Sequence, residues 1–152
     1  MSALTSSLLR KHQEECVAPF DLVPSPRAAA PTIGVLPRCR LRRVTEFIQQ
    51  NLDKDLALAE LAAVASMSPY HFARLFKCST GVPPHRFVVR QRIARARAVL
   101  TTPELSIAQI SRMVGFRTPS HFTTVFRRSL GITPGTYRAA MTREDRPGGQ
   151  GG

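Results

Sequence analysis

Two segments of this chain carry the same pattern. Residues 61–77 read LAAVASMSPYHFARLFK, and residues 110–127 read ISRMVGFRTPSHFTTVFR. The segments align at an offset of 49 residues and, after one extra residue in the second segment, at an offset of 50. Each copy predicts a helix, a tight turn and a second helix, which is the helix-turn-helix arrangement. The pairing also extends beyond both segments, to Gly81 with Gly131, Pro84 with Pro134, and Phe87 with Tyr137.

Helix signals continue on both sides of the two copies, and no segment alternates with the period of a strand. Apolar residues recur at helical spacing, and a capping residue before proline or a capping box opens several of the segments. The sequence therefore predicts an all-α fold of about seven helices. In chain order these are a helix at about 40–52, a short one at 58–65, one opened by Ser68-Pro69 and closed by Gly81, a long one from Pro83-Pro84 to about Leu100, and three opened by Ser106, Thr118-Pro119 and Thr133-Pro134, the last running through Tyr137.

The aromatic residues lie on the apolar stripes of these helices, so we expect them in the core and not on a base-stacking surface. They are Phe72, Phe76, Phe87, Phe116, Phe122, Phe126 and Tyr137.

Positive charge is concentrated in the helical part of the chain. The whole chain has 22 Lys and Arg against 10 Asp and Glu, a net charge of +12. Residues 38–143 contain 18 of the basic and 5 of the acidic residues, and so carry +13. Glu104 is the only acid between residues 61 and 143. Because a solvated helical surface normally mixes both signs, this imbalance predicts a polyanionic partner, most often nucleic acid.

The segments outside the helical part predict little regular structure. Residues 1–37 have no net charge and contain five prolines, which indicates a largely disordered arm with one short helix at about 5–16. We expect this arm to hold no ligand pocket and to add little to DNA affinity. Residues 144–152 predict a flexible, Gly-rich tail. Between them, we divide the chain into a first subdomain with the long helix, 38–102, and a second subdomain, 103–143.

The composition argues against an enzyme, a metal protein or a membrane protein. No carboxylate pair, nucleophile–base pair or Gly-rich phosphate loop stands out, and we expect no cofactor. The three cysteines, Cys16, Cys39 and Cys78, are too widely spaced for a zinc or redox site and indicate reduced thiols in a cytoplasmic protein. No apolar run approaches the length of about 20 residues that a membrane span needs.

From about residue 38 to residue 140 the chain resembles the DNA-binding domain of the AraC/XylS family of bacterial transcription regulators. The resemblance rests on residues at fixed spacing, which are Leu61-Ala62, Ser66-Met67-Ser68-Pro69-x-His71-Phe72-x-Arg74-x-Phe76-Lys77, Gly81-x-x-Pro84 and Phe87 in the first copy, and Ile107-Ala108-x-Ile110, Val114-Gly115-Phe116, Ser120-His121-Phe122-x-x-x-Phe126-Arg127 and Gly131-x-x-Pro134-x-x-Tyr137-Arg138 in the second.

This resemblance implies two helix-turn-helix subdomains joined by a long linker helix. It implies that one monomer reads two successive major grooves of double-stranded DNA and contacts RNA polymerase at promoters in the bacterial nucleoid. The chain departs from the family pattern at Ser66, where the family usually has Gly, and at Ala57, where the second copy has the capping Ser106. Residues 1–37 are also too short for the effector-binding domain of many members, so the chain is similar to short stand-alone activators or to a truncated regulator.

The exposed faces of the third and sixth helices supply the candidate DNA contacts. A recognition helix presents its early residues to base edges, where Arg suits guanine and Ser or Thr suits several bases. The candidates for base reading are Ser68, Tyr70, Arg74, Arg117, Thr118, Ser120, Thr123 and Thr124. The candidates for phosphate contact are Lys77, Arg86, Arg90, Arg127, Arg128 and Arg138.

Other interpretations remain at this stage. A period near 50 is also found in helical solenoids, although two copies are too few for one. A DNA-repair methyl acceptor with this domain would need a cysteine cluster upstream, where only Cys16 and Cys39 stand. Two further alternatives are that the chain is the DNA-binding fragment of a larger effector-responsive regulator, or that it is an architectural protein that binds DNA without sequence preference.

Overall fold

The computed structural model describes residues 34–144, and within that range the chain forms seven helices and no strand. Both the all-α class and the helix count are therefore confirmed. The helices are α1 (Arg38–Gln50), α2 (Leu58–Val64), α3 (Pro69–Thr80), α4 (Pro84–Leu100), α5 (Ile107–Met113), α6 (Pro119–Leu130) and α7 (Pro134–Glu144). The predicted arm at 1–37, apart from its last four residues, its short helix and the tail after residue 144 lie outside the described residues.

One helix is longer than expected. The sequence predicted a last helix through Tyr137, whereas α7 continues to Glu144. The added turns contain Ala139, Ala140 and Met141, which are good helix formers.

No helix within residues 34–144 combines the length and the apolar character needed to cross a membrane.

The first hydrophobic core lies among α1, α2, α3 and the beginning of α4. The rings of Phe72 and Phe76 on α3 are fully buried. Phe87 on α4 closes this core with its ring edge-on to Phe76, at a centroid distance of 5.2 Å. The other buried apolar members are Leu36, Val44, Ile48, Leu52, Leu61, Ala62, Ala65 and Val88.

The second core repeats this arrangement with the end of α4 in the place of α1. Phe122 and Phe126 on α6 are fully buried, and Tyr137 on α7 packs edge-on against Phe126 at 5.6 Å. The other buried apolar members are Ile93, Ala96, Leu100, Ile110, Val114 and Phe116. Of the aromatic residues predicted in the core, Phe87 and Tyr137 are only partly buried, because each covers the edge of its core.

Helix α4 is thus divided between the two subdomains. Val88, outside the predicted apolar stripe, faces the first core, and Ile93 faces the second. Side chains five residues apart on a helix point about 140° away from each other. Helix α4 therefore presents one apolar face in its first half and another in its second half. The boundary predicted after residue 102 assigned all of α4 to the first subdomain, whereas its second half packs with the second.

The two tight turns share one backbone geometry. In each, an amide N–H donates to the carbonyl five residues earlier, at 2.9 Å in the first turn and 2.8 Å in the second. This bond requires a residue in the left-handed conformation inside the turn. That residue is Ser66, with φ 55°, in the first turn and Gly115, with φ 87°, in the second. Ser66 adopts the conformation at a steric cost that glycine does not have.

Helices α2 and α5 begin with unequal caps. Ser106 and Gln109 form a complete capping box, in which each side chain accepts a hydrogen bond from the other residue's amide, at 3.1 and 2.8 Å. At α2 the Glu60 carboxylate accepts from the Ala57 amide at 3.2 Å, but the alanine has no oxygen to return the bond. Helix α2 therefore lacks the side-chain cap that Ser106 gives to α5.

We predict that Gly115→Ala destabilises the fold more than Gly131→Ala does. Both glycines have a left-handed φ, 87° and 81°, so each alanine costs about 1–2 kcal/mol of backbone strain. A Cβ at Gly131 meets open space, whereas one at Gly115 collides with the Leu52 carbonyl oxygen. This collision adds about 1–3 kcal/mol. Urea unfolding of the two variants measures the difference, and equal losses would contradict it.

We also predict opposite effects of two capping substitutions. Ala57→Ser supplies the missing acceptor of α2 and raises the free energy of unfolding by about 0.5–1 kcal/mol. Ser106→Ala removes the acceptor of α5 and lowers it by about 0.5–2 kcal/mol. The midpoint of urea unfolding, at an unchanged slope, reports both. A lower midpoint for Ala57→Ser would show that the α2 cap is set by other contacts.

Candidate nucleic-acid interface

The outer face of α3 is polar and basic. Its buried side holds Phe72 and Phe76, and the opposite side holds Tyr70, Arg74 and Lys77, which are four and three residues apart and so share one face. Tyr70 is 80% exposed, although it is a large apolar ring. The structure thus brings the predicted readers and the phosphate candidate of α3 onto one accessible surface.

The outer face of α6 is built in the same way. Ser120, Thr124 and Arg127 are exposed at the same spacing, and Arg128 is exposed beside them. The Thr124 hydroxyl donates to the Ser120 carbonyl at 3.0 Å, which leaves its oxygen as an acceptor. Thr123, another predicted reader, is half-buried.

The residues that precede the two recognition helices behave differently. The Thr118 hydroxyl oxygen accepts from the His121 amide at 3.2 Å and so caps α6. Ser68 occupies the same place before α3 but makes no cap hydrogen bond with its side chain. The predicted cap is thus present at α6 and absent at α3, where the exposed Ser68 hydroxyl is not committed to capping.

The predicted phosphate contacts fall into two groups. Arg86 and Arg90 are exposed one turn apart on α4, as expected for anchors. Arg138 is different, because its guanidinium donates to the carbonyls of Leu100 and Leu105, at 3.2 and 2.7 Å. It is half-buried and holds the end of α4, so the structure gives it an internal role, and its phosphate contact stays a prediction.

Sequence reasoning missed Arg92, which plays the equivalent part at the end of α1. Its guanidinium donates to the carbonyls of Leu52 and Lys54, at 3.0 and 2.6 Å, and lies over the Phe116 ring at 5.8 Å. One signal was available, since Arg92 falls between Val89 and Ile93 on the apolar stripe of α4. An arginine in that position points toward a carbonyl or ring partner.

An acidic loop lies against the start of α6. The Asp55 carboxylate pairs with the Arg117 guanidinium at 2.6 Å, although both side chains are at least 80% exposed. Burial lowers the pKa of Arg92, and the carboxylates of Asp55 and Asp53 oppose that shift. The predicted reader Arg117 thus lies at the edge of the first subdomain, in an exposed ion pair that solvent screening weakens.

These side chains surround a cleft of about 530 Å³ between the two subdomains. Its lining carries both signs of charge, and Val89 and Phe116 are the large apolar side chains in it. Among residues 34–144, no three His, Cys, Asp or Glu side chains come together as metal ligands.

The two recognition helices and the linker helix contain no acid at all. Neither α3, α4 nor α6 includes an Asp or Glu. The exposed basic side chains on α3 and α6 therefore have no acidic neighbour on their own helix. Such surfaces hold a polyanion without competition from internal carboxylates.

Comparisons with known proteins agree with this geometry. A profile described as a helix-turn-helix domain matches residues 61–140. The regulatory protein PocR of Salmonella typhimurium is 35% identical over 108 residues, which is 71% of this chain and 36% of PocR. The chain thus spans about a third of the length of that relative.

Solved structures show the same fold. A transcriptional regulator from Chromobacterium violaceum, described as having an AraC-type DNA-binding domain, is 29% identical with a TM-score of 0.64, over 72% of this chain and 95% of that one. The DNA-binding domain of the transcriptional factor AdpA, solved with a target DNA, is 33% identical with a TM-score of 0.67, over 72% and 98%. With the duplicated helix-turn-helix, these matches establish that the chain belongs to the AraC/XylS family.

Proposed function

We propose that this chain is a transcription regulator that binds double-stranded DNA in a sequence-specific way through α3 and α6. The observation that carries the proposal is the duplicated, acid-free recognition face, with exposed polar and basic residues over a buried phenylalanine pair in each subdomain. Because the two faces differ in sequence, one chain would read two different half-sites.

The dimensions of α4 support reading in two successive grooves. Its 17 residues span about 25 Å, and successive major grooves on one side of a duplex are about 34 Å apart. The widths of the flanking helices supply the rest of the separation. We therefore propose a monomer on an asymmetric site of about two helical turns.

The side chains on each face suggest what is read. On α3, Arg74 is suited to the O6 and N7 acceptors of guanine. On α6, Ser120 and Thr124 offer hydroxyl groups and a methyl group, which suit several bases, including the methyl group of thymine. We propose Lys77, Arg127 and Arg128 as phosphate anchors that fix the register of both helices. We further propose that the bound protein acts on transcription through RNA polymerase.

A footprint tests the proposed stoichiometry. We expect one chain to protect an asymmetric site of about 20 base pairs, since two grooves are engaged from one side. The measurement is DNase footprinting of a selected site, with the complex mass from sedimentation. A palindromic site occupied by two chains would contradict the single-chain arrangement.

The same selected site separates a regulator from an architectural protein. A specific complex should be preferred over random DNA by about 10³-fold or more, whereas an architectural protein shows little preference. Transcription from a promoter carrying the site, with and without the protein, then shows whether binding changes the output of RNA polymerase.

Substitutions on α3 distinguish base reading from phosphate contact. We expect Arg74→Ala to cost about 1–3 kcal/mol on the selected site and to relax the preference at one base pair. Lys77→Ala, one turn away, should weaken all sequences alike and lower the slope of affinity against salt by about 1. Titrations of both variants on selected and random DNA decide this. If Arg74→Ala lost the same affinity on both DNAs, Arg74 would not be a reader.

A further inference from the structure

A cross-contact joins the two subdomains besides the shared helix α4. The turn of the second helix-turn-helix approaches the loop after α1 so closely that a Cβ at Gly115 would collide with the Leu52 carbonyl oxygen. The contact therefore involves backbone on both sides, and it brings the segment between α5 and α6 against the first subdomain.

Arg92 is the side chain at the centre of this contact. It is anchored on α4, donates to the Leu52 and Lys54 carbonyls of the first subdomain, and lies over Phe116 of the second. Its positive charge also lies just beyond the end of α1, where the helix dipole favours a cation. From its position on α4, one planar guanidinium thus contacts both the loop after α1 and Phe116.

Phe116 connects this contact to the recognition helix. It is buried in the second core, where its ring lies 5.3 Å from that of Phe122 on α6. Phe116 therefore links the Arg92 contact to the base of α6. The neighbouring pair of Asp55 and Arg117 also spans the gap, but its exposure makes it a weak constraint.

We propose that Arg92 is a positioning residue that fixes α6 relative to α3 and so sets the half-site spacing that the protein accepts. This inference rests on the proposed two-groove binding. One added base pair moves a half-site by about 3.4 Å and rotates it by about 35°. When the Arg92 contact fixes α6 relative to α3, the two recognition helices cannot follow that displacement. When α4 alone joins them, they can move toward it.

A spacing series tests the proposal. The selected site is made with its half-sites at the native distance, one base pair closer, and one and two base pairs further apart. The full chain should lose about tenfold or more in affinity for each altered spacing, since rigid linkage binds both half-sites only when the geometry matches. Arg92→Ala and Arg92→Gln should bind the native spacing less tightly and shrink the penalty for altered spacings to about threefold or less.

The matched control is Arg95→Ala, which removes the same charge from an exposed position of the same helix. We expect it to retain the full spacing penalty, because Arg95 is absent from the contact. If a folded Arg92 variant kept the wild-type penalty, the proposal would be overturned. If the unaltered chain bound no spacing better than random DNA, the proposed function itself would fail, which is a different result.

A distance measurement without DNA covers the case in which Arg92→Ala folds poorly. Cys78 on α3 and an introduced Ser129→Cys on α6 are both exposed sites for spin labels, with Cys16 and Cys39 replaced by serine. We expect a narrow distance distribution in the otherwise unaltered chain and in Arg95→Ala, and a broader one in Arg92→Gln. Equal widths in all three would refute a positioning role for Arg92.

Discussion

The edge-on packing of Phe87 against Phe76 is the contact on which the arrangement of both recognition helices depends. It joins α3 to the first half of α4 and closes the first core. The second half of α4 then enters the second core, where Ile93, Ala96 and Leu100 are buried. One helix therefore ends one subdomain and begins the next, so the orientation of α6 is tied to that of α3.

The many arginine side chains of this protein have two different uses. Most of the arginines among the candidate contacts present their guanidinium groups to solvent, where a phosphate can reach them. Arg92 and Arg138 instead bind carbonyls just after the ends of α1 and α4. Each closes its subdomain by holding the helix that precedes the helix-turn-helix. Carbonyl partners and not charge density thus separate the two structural arginines, Arg92 and Arg138, from the arginines that we propose face DNA.

The sequence was sufficient for the helices, the repeat and most of the buried aromatic residues, because these depend on local spacing. It also placed the outer faces of α3 and α6 correctly in outline, since Tyr70, Arg74 and Lys77 are exposed together. It could not assign Arg138 or Arg92, because their partners lie 33 to 40 residues away and are backbone carbonyls, which carry no sequence signature. The pair of Asp55 and Arg117 was missed because its two side chains are 62 residues apart, and nothing local to either residue marks the other as its partner.

The unequal turns have a consequence for how this chain tolerates genetic variation. Every nucleotide change that alters a glycine codon adds a side chain or stops translation, and at Gly115 any side chain meets the Leu52 carbonyl. Every such substitution at position 115 is therefore expected to destabilise the fold. Ser66 already carries a side chain in the left-handed conformation and faces solvent, and glycine, asparagine and aspartate also tolerate that conformation. The two matching turns thus differ in the substitutions that each tolerates.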